Sequence, residues 1–130
     1  MKVQKNFDSK VFKKGQTIFN VDEPTDTLYL IQSGKVAIHA REGLKLATLE
    51  SGEMFGELGF LTGEMKRTAS AVAETECVIN VIFPDVMQRK VDEADPVLRA
   101  LVRNLTIRLS EANNLSEKYW LELNVYKDLT

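Results

Sequence analysis

Cysteine, histidine and proline are scarce in this 130-residue chain, which contains one, one and three of them. With Cys77 as its only cysteine, the chain can form no internal disulfide and no cysteine-based metal cluster. His39 is the only histidine, so the clustered histidine ligands of a metal-dependent β-barrel enzyme such as a cupin are missing as well. We therefore expect no metal and no cofactor, and the single cysteine fits a reducing compartment.

Long apolar runs and an excess of positive charge are also absent. No stretch of about 18 apolar residues occurs, and the N-terminus does not resemble a signal peptide, so we expect a cytoplasmic protein without a membrane span. The net charge is −2, and the basic run of Lys10, Lys13 and Lys14 is too short to form a phosphate-binding face. We expect no direct binding to nucleic acid or to a membrane.

Short β-type segments alternate with turn signals up to residue 83, as in a small barrel or sandwich. The segments around Leu28–Ile31 and Val78–Phe83 are almost continuously apolar, which predicts strands covered on both faces. The pair Ser33-Gly34 predicts a tight hairpin, since glycine accepts a positive φ without steric cost. The predicted strands are Thr17–Phe19, Thr27–Gln32, Lys35–Arg41, Leu44–Leu49, Arg67–Glu74 and Cys77–Phe83.

Beyond the last predicted strand, the apolar residues take a helical spacing. Pro84 predicts the start of a short helix that ends near Glu93, because proline suits a first helical turn. Asp95 and Pro96 predict the start of a second, long helix with Asp95 as its N-cap. An apolar stripe on this helix predicts a contact surface for a second copy of the chain. The stripe comprises Leu98, Val102, Leu105, Leu109 and Ala112.

The segment 52–72, GEMFGELGFLTGEMKRTASAV, contains the candidate binding residues. Gly56 and Gly59 flank Glu57, and glycine lets a backbone approach a ligand closely. Arg67, ten residues after Glu57, offers a planar fork that matches two phosphate oxygens. The carboxylate of Glu57 can only accept hydrogen bonds, so a sugar hydroxyl is a natural partner. The residues alone leave open a phosphate and ribose site or a structural ion pair between Glu57 and Arg67.

This segment resembles the phosphate-binding cassette of cyclic-nucleotide-binding domains, the family of catabolite activator protein and of the regulatory subunits of cyclic-nucleotide-dependent kinases. The cassette has the form F-G-E-L, a short variable loop, then R-[TSA]-A, here Phe55–Leu58 and Arg67–Ala69. The sequences Phe12–Phe19 and Leu28–Val36 resemble the family's opening strand pair and central hairpin. The resemblance covers roughly residues 7–115, most of the chain.

The fold that this resemblance implies is mainly β with C-terminal helices. A small double-stranded β-helix, a jelly-roll-like β-roll, would span about residues 9–83. A short helix and a long C-terminal helix would follow in residues 84–130, so that residues 1–130 form one cyclic-nucleotide-binding domain.

The resemblance also implies a role for each cassette residue. Arg67 would bind the exocyclic phosphate oxygens of a cyclic nucleotide, and Glu57 would accept a hydrogen bond from the ribose 2′-hydroxyl. Further donors would be the backbone amides near Gly56, Leu58, Thr68 and Ala69, together with the Thr68 hydroxyl.

The base pocket would come from other elements. Ile38, Leu46 and Leu49 would form its apolar wall, and Leu46 and Leu49 could instead be plain core residues or serve both roles. Arg108 and Asn113 lie where the family contacts the purine edge. Tyr119 or Trp120 could stack on the base or serve only in packing.

We therefore expect a regulatory sensor that binds cAMP or cGMP, performs no catalysis and moves its C-terminal helices on binding. Thr68 directly after Arg67 resembles the cGMP-dependent kinases, whereas the bacterial style of architecture slightly favours cAMP. The alternative is a ligand-free interaction or dimerisation scaffold of the same fold. The intact pair Glu57 and Arg67 favours a working site, because a buried arginine is costly unless paired.

Two features depart from the family's pattern. The turn from Asp22 to Asp26 lacks the glycines common there, and we expect it to lie far from the ligand. The chain ends at Thr130 without room for a helix-turn-helix, so we expect no DNA-binding domain. The module would act alone, signal through a partner or belong to a larger protein. A homodimer through the long helix is the preferred oligomeric state.

Overall fold

The computed structural model describes residues 8–57, 65–109 and 111. The chain is helical in α1 (Pro84–Asp92) and again over residues 96–109, the second helical stretch. None of the helices in the described part of the chain has the length and hydropathy needed to span a membrane. The strands are β1 (Asp8–Phe12), β2 (Thr17–Phe19), β3 (Leu28–Ser33), β4 (Val36–His39), β5 (Lys45–Leu49), β6 (Met54–Phe55), β7 (Ser70–Ala73) and β8 (Cys77–Ile82).

The strands form two antiparallel four-stranded sheets, with the orders β1-β8-β3-β6 and β2-β7-β4-β5. Several strands that follow each other in the chain, such as β1 and β2 or β7 and β8, belong to different sheets. This alternation is how a chain winds a double-stranded β-helix. The predicted class, mainly β with C-terminal helices, is confirmed.

Two compact units divide the chain, Met1–Lys90 and Val91–Thr130. The first unit contains both sheets and the candidate cassette. The second contains the second helical stretch. That residues 1–130 form one domain stays a prediction.

The predicted hairpin at Ser33-Gly34 is wrong. β3 pairs with β6 and β8, whereas β4 pairs with β5 and β7, so the turn passes the chain from one sheet to the other. Gly34 has φ +91°, and a Cβ there would overlap the Glu76 carbonyl and lie 2.8 Å from Cys77 Sγ. Glycine is therefore required for a close crossing of two chain segments, which a dipeptide pattern cannot distinguish from a hairpin turn.

The strand predicted over Arg67–Glu74 is shorter, Ser70–Ala73. The residues before Ser70 do not join the sheet, because the backbone of residues 65–67 forms hydrogen bonds with the loop between β2 and β3. Two strands, β1 and β6, were not predicted. β1 is mostly exposed and β6 has only two residues, so neither shows a clear apolar alternation.

The core lies between the two sheets of the first unit. β3 and β8 contribute most of its large, fully buried side chains, as their continuous apolar sequences predicted. Leu28, Ile31, Ile79 and Ile82 are each at most 2% exposed. On the edge facing the cassette, the core ends in an aromatic cluster of Phe19, Tyr29 and Phe55, whose ring centroids lie 5.0–6.0 Å apart.

The second unit begins with the helix start that the sequence predicted. The Asp95 carboxylate accepts a hydrogen bond from the Val97 amide at 2.8 Å, the geometry of an N-cap. The Asp95 carbonyl accepts the first helical bond, from the Arg99 amide. α1 ends at Asp92, one residue before the predicted end.

Candidate functional site

The loop between β2 and β3 lies directly against the second half of the cassette. The Asp22 amide donates to the Arg67 carbonyl at 2.9 Å, and the Arg67 amide donates to the Glu23 carbonyl at 2.8 Å. The Thr25 amide adds a bond to the Met65 carbonyl at 3.1 Å. The expectation that the turn Asp22–Asp26 lies far from the ligand residues is therefore wrong, because it forms a small antiparallel ladder with the segment that carries Arg67.

The Arg67 guanidinium is bound by backbone oxygens. Nη1 donates to the Gly56 carbonyl at 2.9 Å, and Nη2 donates to the Thr27 carbonyl at 2.7 Å. The Thr27 hydroxyl lies 3.4 Å from Nη2 and donates to the Tyr29 hydroxyl at 2.9 Å. These contacts join the two ends of the cassette motif to the start of β3.

An aromatic surface lies beneath the same group. The guanidinium carbon is 4.3 Å from the ring centroid of Phe19 and 5.6 Å from that of Tyr29. A cation within about 6 Å of an aromatic face is attracted by the ring quadrupole, more strongly when water is excluded. Arg67 is only 4% exposed, so this contact operates in a desolvated setting.

Gly56 is the residue that permits this packing. Its φ is +74°, and a Cβ at this position would lie 2.7 Å from Arg67 Nη1 and 3.1 Å from a Tyr29 ring carbon. Both the backbone conformation and the close approach of the guanidinium therefore favour glycine. This is the physical reason for the glycine in the F-G-E-L part of the cassette.

The Nε–H donor of Arg67 has no partner among the described residues. Nε is also fully buried. An unpaired buried donor costs about 1–3 kcal/mol, and such groups in folded proteins commonly mark the place of a ligand, an ion or water. A hydrogen-bond acceptor brought to Nε would remove this cost, so the arginine has unfilled capacity for an anion.

Glu57 does not pair with this arginine. The acceptors around the Arg67 guanidinium in the described residues are two carbonyls and a hydroxyl, with no carboxylate among them. Glu57 itself is half-buried. The structural ion pair between Glu57 and Arg67 is therefore excluded for this structure, and the Glu57 carboxylate is left as a candidate acceptor beside Gly56.

The other cassette residues differ in exposure. Thr68 is exposed and Ala69 is half-buried. The two residues after the buried Arg67 are thus accessible, and β7 begins next, at Ser70. Leu58 and Gly59 lie outside the described residues, and their predicted roles stay predictions.

The predicted base-wall residues lie on two adjacent strands. Ile38 on β4 and Leu49 on β5 are partly buried and pack against the core cluster. Ile38 pairs with Ala47 and Val36 pairs with Leu49, so these side chains share one face of the sheet. Leu46 lies at the irregularity in this pairing and is 57% exposed. Ile38 and Leu49 contact the core cluster and Leu46 is accessible, and the base-wall role of all three stays a prediction.

The predicted purine-edge residues belong to the second unit. Arg108 is exposed on the second helical stretch. Asn113, Tyr119 and Trp120 lie outside the described residues. Their assignment to the base stays a prediction.

An exposed ion pair fastens the loop that faces Arg67. Arg41 Nη1 and Nη2 donate to the two carboxylate oxygens of Asp22 at 2.7 and 2.8 Å. Asp22 has φ +72° and its hydrogen bond to Arg41 lowers the pKa of the carboxyl group below its usual range. The pair connects the turn between β4 and β5 to the loop, and so links a third element to the backbone around Arg67.

This segment brings together the groups that a phosphate and ribose site needs. They are an arginine whose Nε donor is unpaired, a glycine that keeps the backbone close, and a carboxylate on the next residue that does not pair with Arg67 in the described part of the chain. No group of three or more residues that could hold a metal ion occurs in the described ranges.

The sequence model for the family described as "Cyclic nucleotide-binding domain" matches residues 9–94, from β1 through α1. This chain belongs to the cyclic nucleotide-binding domain family. Among relatives, the CRP-like cAMP-activated global transcriptional regulator of Mycobacterium tuberculosis is 35% identical over 108 residues, which cover 79% of this chain and 47% of the regulator. The chain spans about half or less of the length of curated relatives that it matches.

Solved structures of the family agree with the fold. The half-site-occupied form of EAL enzyme Bd1971 has a TM-score of 0.74 and 30% identity, covering 82% of this chain and 98% of that one. The catabolite activator protein of Thermus thermophilus has a TM-score of 0.64 and 28% identity, covering 94% of this chain and 55% of that one. The resemblance that the cassette indicated is confirmed.

Sequence reasoning missed the residues that hold the arginine. Thr27 is 40 residues from Arg67 in the chain, and Phe19 and Tyr29 read only as apolar strand positions. No local pattern marks them, because their role depends on two strands meeting beneath the cassette. The aromatic residues at the end of β2 and the start of β3 are the only sequence feature that could have indicated these contacts, and ordinary core positions show the same feature.

Proposed function

We propose that this cyclic nucleotide-binding domain is a regulatory sensor for a 3′,5′-cyclic purine nucleotide, with cAMP preferred to cGMP. The observation that carries the proposal is the buried Arg67 with its unpaired Nε, next in space to Gly56 in a chain of this family. A phosphate oxygen is the acceptor that best fits such a donor, because a charge-assisted bond satisfies both groups.

Relatives support the ligand class. The name of the Mycobacterium tuberculosis regulator describes it as cAMP-activated. The EAL enzyme Bd1971 is described in a cAMP-bound and a cGMP-bound form, both 27% identical to this chain. A cAMP-bound PfPKA-R structure is 32% identical. These names cover both nucleotides, so the preference for cAMP is the part of the proposal that most needs a measurement.

Each candidate residue has a chemical role in this proposal. Arg67 pairs with the exocyclic phosphate, and the amides around Gly56 and Thr68 add donors. Glu57 accepts from the ribose 2′-hydroxyl, which distinguishes a ribonucleotide from its deoxy analogue. Leu46 offers the accessible apolar surface for the base. The domain binds its ligand without transforming it, and we place it in the cytoplasm on the evidence of its composition.

Titration calorimetry with four ligands tests the proposal. We expect saturable binding of cAMP, weaker binding of cGMP, and binding of 2′-deoxy-cAMP about tenfold or more weaker than cAMP, since a hydrogen bond to a charged group contributes about 1.5–3 kcal/mol. The open-chain 5′-AMP serves as the control for nonspecific purine binding. If the folded protein gives no saturable heat with cAMP or cGMP at millimolar concentration, the sensor function is excluded.

We further propose that binding shifts a conformational equilibrium of residues 84–130. A ligand can move such an equilibrium only by its differential affinity for the two states. We expect amide hydrogen exchange in α1 and the second helical stretch to change on saturation with cAMP, relative to β8 as the internal reference. Equal exchange of residues 84–130 with and without ligand, in a protein that binds it, would rule this mechanism out.

A second candidate function is an interaction scaffold that forms a homodimer. The observation that favours it is the set of large apolar side chains that remain exposed on the second helical stretch. A second copy of the chain is the partner proposed for them. Sedimentation equilibrium distinguishes the mass of the monomer from that of the homodimer. A monomer at high micromolar concentration would exclude the homodimer. The exposed residues are Val97, Leu98, Leu101, Leu105, Ile107 and Leu109.

A further inference from the structure

Each nitrogen of Arg67 either donates to a backbone carbonyl or is enclosed by the protein. The side chain is 4% exposed, its two terminal nitrogens bind the Gly56 and Thr27 carbonyls, and Nε has no accessible surface to speak of. A ligand oxygen needs at least the access that a water molecule needs. In this arrangement a phosphate oxygen cannot reach Nε until the arginine or the groups around it move.

The groups that enclose Arg67 and a bound phosphate would compete for the same guanidinium group. Two carbonyls and the face of Phe19 at 4.3 Å stabilise the inward position of the guanidinium. The unpaired Nε works against that position, because this donor would be satisfied in another arrangement. The two carbonyls and the Phe19 ring thus stabilise the inward position of Arg67, and the unpaired Nε destabilises it. Opposing contributions of this kind allow an equilibrium between an inward and an outward position of the side chain.

We propose that Phe19 and Thr27 are affinity-determining residues of this site, because they hold Arg67 in a masked position that a phosphate must displace. This inference rests on the proposed function. It adds that the free energy needed to move Arg67 out of the masked position weakens the apparent affinity for the nucleotide. The apparent affinity of such a site is its intrinsic affinity multiplied by the fraction of molecules in the competent state. Weakening the masked state therefore raises the apparent affinity.

The sign of this effect separates masking from a purely structural role. A residue that only supports the pocket lowers ligand affinity when it is altered. Phe19→Leu removes the aromatic face beneath the guanidinium, and we expect it to bind cAMP about threefold to tenfold more tightly than the wild type. Phe12→Leu is the matched control. Phe12 lies on β1, outside the cassette, and is partly buried against the same core cluster, but no contact joins its ring to the guanidinium among the described residues.

Thr27→Val is the second variant, in case Phe19→Leu does not fold. It keeps the side-chain volume but removes the hydroxyl that lies 3.4 Å from Nη2 and 2.9 Å from the Tyr29 hydroxyl. We expect a smaller increase in cAMP affinity, about twofold to threefold, since the hydroxyl contact with Nη2 is long. If neither folded variant binds cAMP more tightly than the wild type and Phe12→Leu, the proposal is overturned.

Hydrogen exchange of the arginine Nε protons tests the masking without any nucleotide. In the ligand-free wild type we expect the Arg67 Nε–H signal in nitrogen-15 spectra to exchange with water at least about tenfold more slowly than that of the exposed Arg41, and Phe19→Leu to accelerate it. Equal exchange of Arg67 and Arg41 would overturn the masked state. If the wild type binds neither nucleotide while Arg67 stays protected, the proposed function fails and the masking stands, so the two failures are distinguishable.

Discussion

Arg67→Met is expected to lower the affinity for cAMP by at least about a hundredfold, because two charge-assisted hydrogen bonds to a phosphate are lost. The folded domain should tolerate this change. Methionine removes the buried charge and fills a similar volume, but the Gly56 and Thr27 carbonyls lose their donor. Because a buried acceptor left without a partner costs about 1–3 kcal/mol, we expect the free energy of unfolding to fall by about 1–3 kcal/mol.

Calorimetry and urea denaturation on the same preparations measure both effects. Arg89→Met, at an exposed arginine of α1, is the matched control and should bind cAMP within about twofold of the wild type. Arg67→Met with an affinity within tenfold of the wild type would show that the phosphate is not bound by this arginine. The assignment of the cassette would then have to move to other donors.

Ile79→Ala is expected to lower the free energy of unfolding by about 3–4 kcal/mol, the cost of a cavity at a fully buried position. Ile79 has no exposed surface and belongs to the main core cluster. It lies on β8, which pairs with β1 on one side and β3 on the other, so both neighbours resist collapse into the cavity. Total stability of a domain of this size is about 5–15 kcal/mol, which makes this a large fraction of it.

Urea denaturation compared with Val11→Ala gives the test. Val11 is 59% exposed on the neighbouring strand β1, where it pairs with Val78, so its truncation should cost less than about 1 kcal/mol. The midpoint of unfolding should fall for Ile79→Ala at nearly unchanged denaturant dependence. A loss for Ile79→Ala no greater than that for Val11→Ala would contradict the described core.

Strands whose two faces are both buried were predictable from the sequence. Leu28–Ile31 and Val78–Ile82 are runs of apolar residues, and β3 and β8 are indeed the central strands of one sheet. The sheet to which a strand belongs was not predictable in the same way. Gly34 marks a turn in either case, and only the pairing of β3 and β4 with different strands makes that turn a crossing between sheets.

In the candidate site, too, some residues were predictable from the sequence and others were not. Gly56, Glu57 and Arg67 were identified from their spacing and from the family's motif. The partners of the Arg67 guanidinium were not, since Phe19 and Thr27 are distant in sequence and their types are common in strands. The loop at Asp22–Thr25 was expected far away for the same reason, because backbone hydrogen bonds between distant segments leave no mark in residue type.

The amino-acid sequence alone establishes the family, the β-rich body with helices after it, and the presence of an arginine, a glycine and a glutamate at the spacing of a phosphate cassette. These follow from apolar periodicity, turn residues and a motif, all of which are local. Only the tertiary structure decides that the arginine lies inward on Phe19, bound by two carbonyls and with its Nε donor unpaired. Burial and hydrogen bonding of a side chain depend on which distant strands meet around it, and that is settled when the two sheets pack.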